Sequence, residues 1–385
     1  MSGFVYSGTM GKYMFLYLNT GGGHYAPAKA IAETINNIRG REVEIILHDG
    51  LTDAPLYVRK VIQDGYKYSV NRALWSFELI YAIGKIKPIT KATADLAARF
   101  IKPAIRNTIL KERPDKIIVF HYLIIKPVNE ILRENNIDIP VVIVVTDPFT
   151  APSGWFLVEG QNYIVFSDIL KEKCIRMGIE DKNIQVFPFV LDRRFSTTLD
   201  NNSRQRLRKE LGFREDSKII LIMGGGDGMP RGEKIFKHLV SSGIEAEIAV
   251  VCGRDKYLYK HLSELKEKFK LDNVKIFGFI NFAYSLIQIS DVVITKAGPS
   301  VCMEVLLAGK VPIINNYIWE QEKGNMEFVC KGGMGIYKKD PRKLPDLVNK
   351  LINHKEYYDL MTTNIKNNRI RNGVEQVSEY IMNFN

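Results

Sequence analysis

Short apolar runs rich in β-branched residues alternate with helix-length segments along most of the chain. In the first half, the runs that predict strands lie at 13–19, 43–48, 115–120, 140–146, 163–166 and 184–187. Segments at 24–38 and 126–134 have the length of helices, and a second series with the same rhythm fills residues 218–314. Strands that alternate with helices form parallel sheets covered by helices. We therefore predict the α/β class, with two Rossmann-like, doubly wound sheets that face each other across a cleft.

The polar stretch Ser196–Arg208 separates the two series. A chain of 385 residues is long enough for two domains, and we place them at 1–195 and 205–370. A last helix within 371–385 belongs either to the second domain or, by packing back, to the first. The pattern leaves both arrangements open.

The positive charge is concentrated in one segment. The formal net charge is +11, and the segment 55–113 holds twelve Lys or Arg residues against four Asp or Glu residues. It has no convincing strand and mixes its basic residues with aromatic ones, which suits helices that lie on anionic membrane lipids. A helical layer with a solvated basic face is the alternative. Nucleic acid is disfavoured as a partner, because no recognised nucleic-acid module accompanies the charge.

Targeting and redox signals are weak. Transmembrane helices need about 20 apolar residues, and the sequence has no such stretch. Residues 1–12 lack the apolar core of a secretory signal. The four cysteines have neither disulfide-framework nor zinc-site spacing. We expect a cytoplasmic protein, peripheral on the cytosolic face of a membrane.

The first candidate site follows the first predicted strand. Glycines 21–23 permit a tight turn before a helix, and His24 sits in that helix's first turn. A neutral histidine there can accept a hydroxyl proton, although a structural histidine is the alternative. Asp147, also at a strand end, either orients His24, binds a sugar hydroxyl or caps a turn before Pro148. The candidate acceptor contacts are Gly22, Gly23, Tyr25, His121 and Trp155, of which His121 and Trp155 equally suit plain packing.

The second candidate site gathers three loops of the second series. The glycine loop 224–228 follows a strand, and Gly225 and Gly226 are its candidate ligand contacts. After another strand, a helix near Ser300 presents backbone N–H groups suited to a diphosphate. Glu304, one turn further on, suits the vicinal hydroxyls of a ribose, and a polar cluster suits hexose hydroxyls. The candidate residues are Lys296, Ala297, Gly298, Pro299, Ser300, Glu304, Gln321, Glu322 and Asn325.

Together these loops suggest a nucleotide diphosphate-sugar in the second domain and an acceptor with a base in the first. The sequence has no Asp-x-Asp pair, so we expect no metal and no cofactor beyond the sugar nucleotide. The helix N-terminus would carry the charge of the leaving diphosphate instead.

The same motifs resemble those of glycosyltransferase family 28, in the group of monogalactosyldiacylglycerol synthases and processive diacylglycerol glucosyltransferases. The resemblance rests on Thr20–His24, Val144–Asp147 with Trp155, Met223–Gly228, Ile294–Glu304 and Gln321–Asn325, in the same order. It implies the GT-B fold and an inverting, β-linking transfer of galactose or glucose from a UDP-hexose to diacylglycerol.

The resemblance also implies roles for individual residues. His24 would be the base or orient the acceptor, with support from Asp147. The backbone near Phe279 would meet the uracil, and the segment 55–113 would be the membrane-binding helices. Two alternatives stay open: a UDP-N-acetylglucosamine transferase acting on a polyprenyl-linked cell-wall precursor, and a non-catalytic nucleotide-sugar-binding protein.

Overall fold

A computed structural model describes residues 11–19, 22–52, 54–60 and 87–385. Much of the aromatic and basic stretch within 55–113, as well as Thr20 and Gly21, lies outside the described residues. The chain divides into two units. The first runs to Asp192 and also takes in Gly373–Asn385, and the second is Arg193–Asn372.

The first unit is built on a parallel sheet of six strands. Its strands are β1 Gly11–Tyr17, β2 Val43–Asp49, β3 Lys116–Val119, β4 Val141–Val144, β5 Asn162–Val165 and β6 Ile184–Val186, in the order β2-β1-β3-β4-β5-β6. Its helices are α1 Gly22–Arg39, α2 Leu56–Arg59, α3 Lys87–Glu112, α4 Tyr122–Glu134 and α5 Asp168–Arg176. Central strands such as β3 are buried along their whole length, as expected of a sheet covered on both faces.

The second unit repeats this plan. Its strands are β7 Ile219–Met223, β8 Glu247–Val251, β9 Val274–Phe277, β10 Val292–Lys296, β11 Val311–Asn316 and β12 Ile336–Tyr337, in the order β12-β11-β10-β7-β8-β9. Its helices are α6 Asn201–Glu210, α7 Gly232–Ser241, α8 Lys256–Lys268, α9 Ala283–Ile289, α10 Pro299–Leu307, α11 Lys323–Lys331, α12 Leu344–Asn353 and α13 Lys355–Asn367. All the strand pairs recorded in both sheets are parallel, which confirms the predicted α/β class.

The last helix, α14 (Val374–Asn383), belongs to the first unit and packs against α1. Its buried face includes Val374, Val377 and Ile381. The ammonium of Lys116, at the start of β3, donates to the Ile381 carbonyl at 2.6 Å and so caps the end of the helix. Packing on α1 and the hydrogen bond from the buried Lys116 thus hold α14 to the first unit.

Two elements differ from the sequence-based expectation. The polar stretch 196–208 contains most of α6, a helix with no buried residue, so it shows no apolar periodicity. Asp200 begins it by accepting a bond from the Ser203 N–H at 2.7 Å. Helix α4 begins at Tyr122, four residues before the predicted start, because the His121 side chain caps it.

Candidate functional site

The carboxyl ends of parallel strands meet at one edge of a sheet, and this edge collects the polar residues of the first unit. His24 follows β1, His121 follows β3, and Thr146 and Asp147 follow β4. The imidazole rings of His24 and His121 have centroids 4.5 Å apart, and the Trp155 ring lies 6.3 Å from that of His24. Residues far apart in sequence thus form one cluster, which we call the histidine cluster: His24, His121, Tyr122, Thr146, Asp147 and Trp155.

His24 is held as a neutral imidazole. Its Nδ1 atom lies 2.8 Å from the hydroxyl oxygen of Thr146. Burial lowers the pKa of His24 to about 4, although a hydrogen bond with the Phe120 backbone opposes part of the shift. The first turn of a helix also disfavours a cation. A neutral ring is the form that can accept a proton.

His121, in the same cluster, caps the N-terminus of α4. Its Nδ1 accepts a hydrogen bond from the Leu123 N–H at 3.2 Å, which leaves the neutral ring's proton on Nε2. Burial, followed by the charge that His24 would carry, keeps the pKa of His121 well below its ordinary value. His121 is therefore at once a helix cap and the second neutral imidazole of the cluster.

Asp147 and Trp155 form a buried pair. The indole N–H of Trp155 donates to Asp147 Oδ2 at 3.0 Å, and both residues are buried. Tyr122 packs edge-on against Trp155, and burial, with a smaller effect of the Asp147 charge, raises the pKa of Tyr122 to about 12. Thr146 thus contacts His24 through its hydroxyl, and Asp147 accepts a hydrogen bond from Trp155. The contact of Thr146 with His24 was not predicted from the sequence, although Thr146 carries a hydroxyl and directly precedes Asp147 at the same strand end.

The remaining acceptor candidates lie at the start of α1. Apart from the chain neighbours and the nearby backbone of α1 itself, none of the described residues comes within 4 Å of a Cβ added to Gly22 or Gly23, so packing against other elements does not require glycine there. Tyr25 is partly exposed, and its ring lies 5.0 Å from that of Tyr17. These three residues border the histidine cluster through His24 in the same helical turn.

In the second unit, the glycine loop after β7 is closely packed against its own backbone. A Cβ on Gly224 would lie 2.3 Å from the Gly228 carbonyl oxygen, and Gly225 has a φ of 90°. A Cβ on Gly225 would lie 3.6 Å from Val301 in the first turn of α10. The loop therefore adjoins the N-terminus of α10, and glycine is required on steric grounds.

The N-terminus of α10 has unused polar groups. Gly298 precedes the helix without a side-chain cap, Pro299 occupies its first turn, and the first amide bonded within it is that of Cys302, to Gly298. The Ser300 hydroxyl is buried and has no hydrogen-bond partner in the described structure. First-turn amides and an unpaired hydroxyl make a suitable place for an anion.

An ion pair fixes the loop after β11 to this turn. Glu322 is buried; one carboxylate oxygen contacts the Lys296 ammonium, and the other accepts from the Ile318 N–H at 2.8 Å. The Asn325 amide donates to the Ala297 carbonyl at 2.9 Å, whereas its carbonyl oxygen is buried with no partner among the described residues. Glu322 and Asn325 therefore both contact the segment that leads into α10.

Three further donor candidates lie near the same edge. Glu304 is partly buried one turn into α10, and Gln321 is partly buried at the end of the loop after β11. Phe279, in the loop after β9, is 61% exposed. Arg254, which follows β8, stacks on its ring and was missed by sequence reasoning, because a single arginine after a strand has no distinctive signal.

The described residues contain no group of three or more His, Cys, Asp or Glu side chains arranged to hold a metal ion. No helix in the described part of the chain combines the length and the apolar character that crossing a membrane requires.

Solved structures with the same architecture have the GT-B fold. Anabaena Alr3699/HepE, solved in complex with UDP-glucose, matches with a TM-score of 0.56 and 16% identity, covering 96% of this chain and 98% of that one. Acinetobacter baumannii MurG matches with a TM-score of 0.60 and 14% identity, covering 97% and 99%. At such identities the likeness establishes the fold, which confirms the predicted GT-B architecture.

Sequence comparison identifies the family. The monogalactosyldiacylglycerol (MGDG) synthase model matches residues 24–190, and the glycosyltransferase family 28 C-terminal domain model matches residues 219–377. The probable MGDG synthase of Nicotiana tabacum is 27% identical over 88% of this chain, and MGDG synthase 1 of Arabidopsis thaliana is 28% identical over 88%. The chain spans 64% of the length of each. The two matched regions of the chain are therefore an MGDG synthase domain followed by a glycosyltransferase family 28 C-terminal domain.

Proposed function

We propose that this protein transfers a hexose, galactose or glucose, from a UDP-sugar to diacylglycerol at a membrane surface and inverts the anomeric configuration. The observation that carries the proposal is the pair of buried, unpartnered polar atoms at one helix N-terminus, Ser300 Oγ and Asn325 Oδ1. Unpaired buried polar groups are costly, so their presence beside first-turn amides indicates a polar ligand. The names of the relatives support a glycolipid product, and the UDP-glucose complex of HepE supports a sugar-nucleotide donor.

We propose that the second unit holds the donor. The diphosphate would lie against the first turn of α10 and the glycine loop, contacting residues 296–300, Gly225 and Gly226. Glu304 would hold the ribose, and the backbone near Phe279 would meet the uracil. Glu322 and Asn325 reach the α10 turn through their own contacts, which supports a hexose site formed by them with Gln321.

The first unit would supply the acceptor and the base. The acceptor oxygen forms a bond to the anomeric carbon while the bond from that carbon to the diphosphate breaks, and a ring nitrogen of His24 takes the hydroxyl proton. The low pKa of His24 keeps the ring neutral and ready for this step. The Thr146 hydroxyl would orient the ring. Asp147 would position Trp155, one of the candidate acceptor contacts, through the hydrogen bond from its indole N–H. No metal is assigned a role.

Part of the positive charge of the segment 55–113, which would attract anionic lipid, is paired with acidic side chains inside the protein. In the described part of α3, Lys102 bonds to Glu130 and Glu134 of α4, whereas Asp95 pairs with Lys126 of α4. The charge of Lys102 is therefore neutralised within the protein. Contact with anionic lipid would fall to exposed residues such as Arg99 and to the segment that lies outside the described residues.

A product assay tests the transfer. The protein is incubated with diacylglycerol in vesicles and labelled UDP-galactose, UDP-glucose or UDP-N-acetylglucosamine, and the lipid product and its anomeric configuration are identified. We expect a β-linked hexosyl diacylglycerol. In a parallel incubation, a polyprenyl-linked cell-wall precursor replaces diacylglycerol, and a product formed solely from this acceptor and UDP-N-acetylglucosamine would refute the proposal. Equal rates on neutral and anionic vesicles, insensitive to salt, would refute its electrostatic membrane part.

Replacing His24 with alanine tests the base. We expect turnover to fall at least a hundredfold, as is typical for loss of a general base, while UDP binding stays nearly unchanged. The matched control is His354→Ala, which removes an exposed histidine of the second unit. Near-normal turnover of the His24 variant would show that the base is a different group.

A further inference from the structure

Arg254 lies between the two loops that flank the donor site. It follows β8, and its backbone N–H donates to the carbonyl of Gly226, in the glycine loop after β7, at 2.9 Å. A Cβ on Gly226 would lie 3.0 Å from Arg254 Nη1. A Cβ on Gly253 would lie 2.5 Å from the Gly226 carbonyl oxygen, so the two loops meet backbone to backbone. The guanidinium is thus held directly over the glycine loop.

The guanidinium also lies over an aromatic ring. Its central carbon lies 4.7 Å from the centroid of the Phe279 ring, in the loop after β9. A planar guanidinium prefers this stacked arrangement on an aromatic face, and the contact covers part of a ring that is otherwise exposed. Three successive strand ends therefore determine where the arginine side chain lies.

The donor groups of Arg254 are unused, unlike those of the neighbouring cations. Its nearest acid, Asp227, lies 3.6 Å away, beyond hydrogen-bond distance, and the Arg254 side chain is 50% exposed. Within the described part of the chain, the guanidinium donates no hydrogen bond. Lys296, in contrast, is paired with Glu322, and Arg231 donates to two backbone carbonyls.

We propose that Arg254 binds the diphosphate of the sugar nucleotide, with the Phe279 ring holding its planar fork toward Gly225 and Gly226. This inference rests on the proposed function. A fork of N–H donors matches phosphate oxygens two at a time, which a lysine ammonium does not. Because the Asp227 pairing is loose, a phosphate can replace it without breaking a hydrogen bond. Arg254 would then stabilise the charge of the departing nucleotide, and the helix N-terminus would share it.

Calorimetric titration of the full chain with UDP, UMP and uridine tests this assignment. For Arg254→Gln we expect UDP affinity to fall about tenfold or more and uridine affinity to change less than about twofold, because the lost bonds are charge-assisted and go to phosphate. Arg254→Lys should lie between, since it keeps the charge and loses the fork. The matched control, Lys237→Gln, removes an exposed cation of the same unit and should leave all three affinities unchanged.

The outcomes separate this inference from the function on which it rests. If the parent protein binds UDP and Arg254→Gln binds it equally well, Arg254 does not hold the diphosphate. Equal weakening of UDP and uridine would place the arginine on the base and overturn the assignment as well. If the folded parent protein binds no UDP, the proposed function fails and the inference falls with it. Thermal unfolding checks that each variant is folded.

Discussion

The low pKa of His24 predicts an unusual pH profile. Lowering the pH from 7.5 to 5.5 would protonate about nine-tenths of a histidine with the ordinary pKa of 6.5. At the His24 pKa of about 4, only about 3% of the ring is protonated at pH 5.5. If His24 is the base, kcat/KM should therefore stay nearly constant down to pH 5.5 and decline toward pH 4. A base with an ordinary pKa would lose about 90% of kcat/KM over the same interval.

The same shift affects stability. The pKa of His24 is lower in the folded than in the unfolded state, so below pH 6.5 the unfolded chain binds more protons. The contribution of the neutral ring is present in full above pH 6.5 and is lost as the pH falls toward 4. A difference of about 2.5 pH units corresponds to about 3 kcal/mol as an upper bound, because the ring is partly exposed. Buried His121 acts in the same direction.

The assay measures kcat/KM with a short-chain diacylglycerol from pH 5 to pH 8, with circular dichroism at each pH to show that the protein stays folded. The Thr146→Val variant serves as a comparison, because it removes the hydroxyl that contacts His24 Nδ1. An acidic limb centred near pH 6.5 in folded protein would refute the reasoning. It would mean either that His24 is better solvated than its surroundings indicate or that another group is the base.

Two further predictions concern packing and the donor site. In Gly154→Ala the new Cβ would lie 2.7 Å from Tyr122 Cδ2, so the ring must move, and we expect a loss of about 1–3 kcal/mol in thermal unfolding; an unchanged Tm would show that Tyr122 shifts at no cost. In Ser300→Ala a buried hydroxyl without a partner is removed, so stability should be equal or slightly higher while UDP affinity falls about fivefold in calorimetry. Lower stability with intact UDP affinity would assign that hydroxyl to the fold.

Much of the fold could be predicted from local pattern. The strand ends agree within two residues in most cases, because buried parallel strands are continuous apolar runs and the turns after them are rich in glycine and acidic residues. Helix α6 could not be bounded in this way, since it buries no residue and its start depends on one Asp200 cap. The side of the fold taken by α14 depends on packing against α1, which a one-dimensional pattern does not contain.

The candidate site shows a similar division. Residues at strand ends, such as His24, Asp147 and Glu322, stand out in the sequence because the edge of a parallel sheet collects them. The residues that contact them do not stand out in the sequence. The contact between His24 and Thr146 requires that β3 lie between β1 and β4, and the basic charge of α3 is reduced by acids of α4 that lie about 30 positions away in sequence.

The most direct test of the account is calorimetric titration of the folded protein with UDP-galactose and UDP-glucose, with UDP alone as reference. The account predicts saturable binding of UDP and of at least one of the two sugar nucleotides, without added metal. Absence of any affinity for UDP and for both sugar nucleotides in well-folded protein would contradict it.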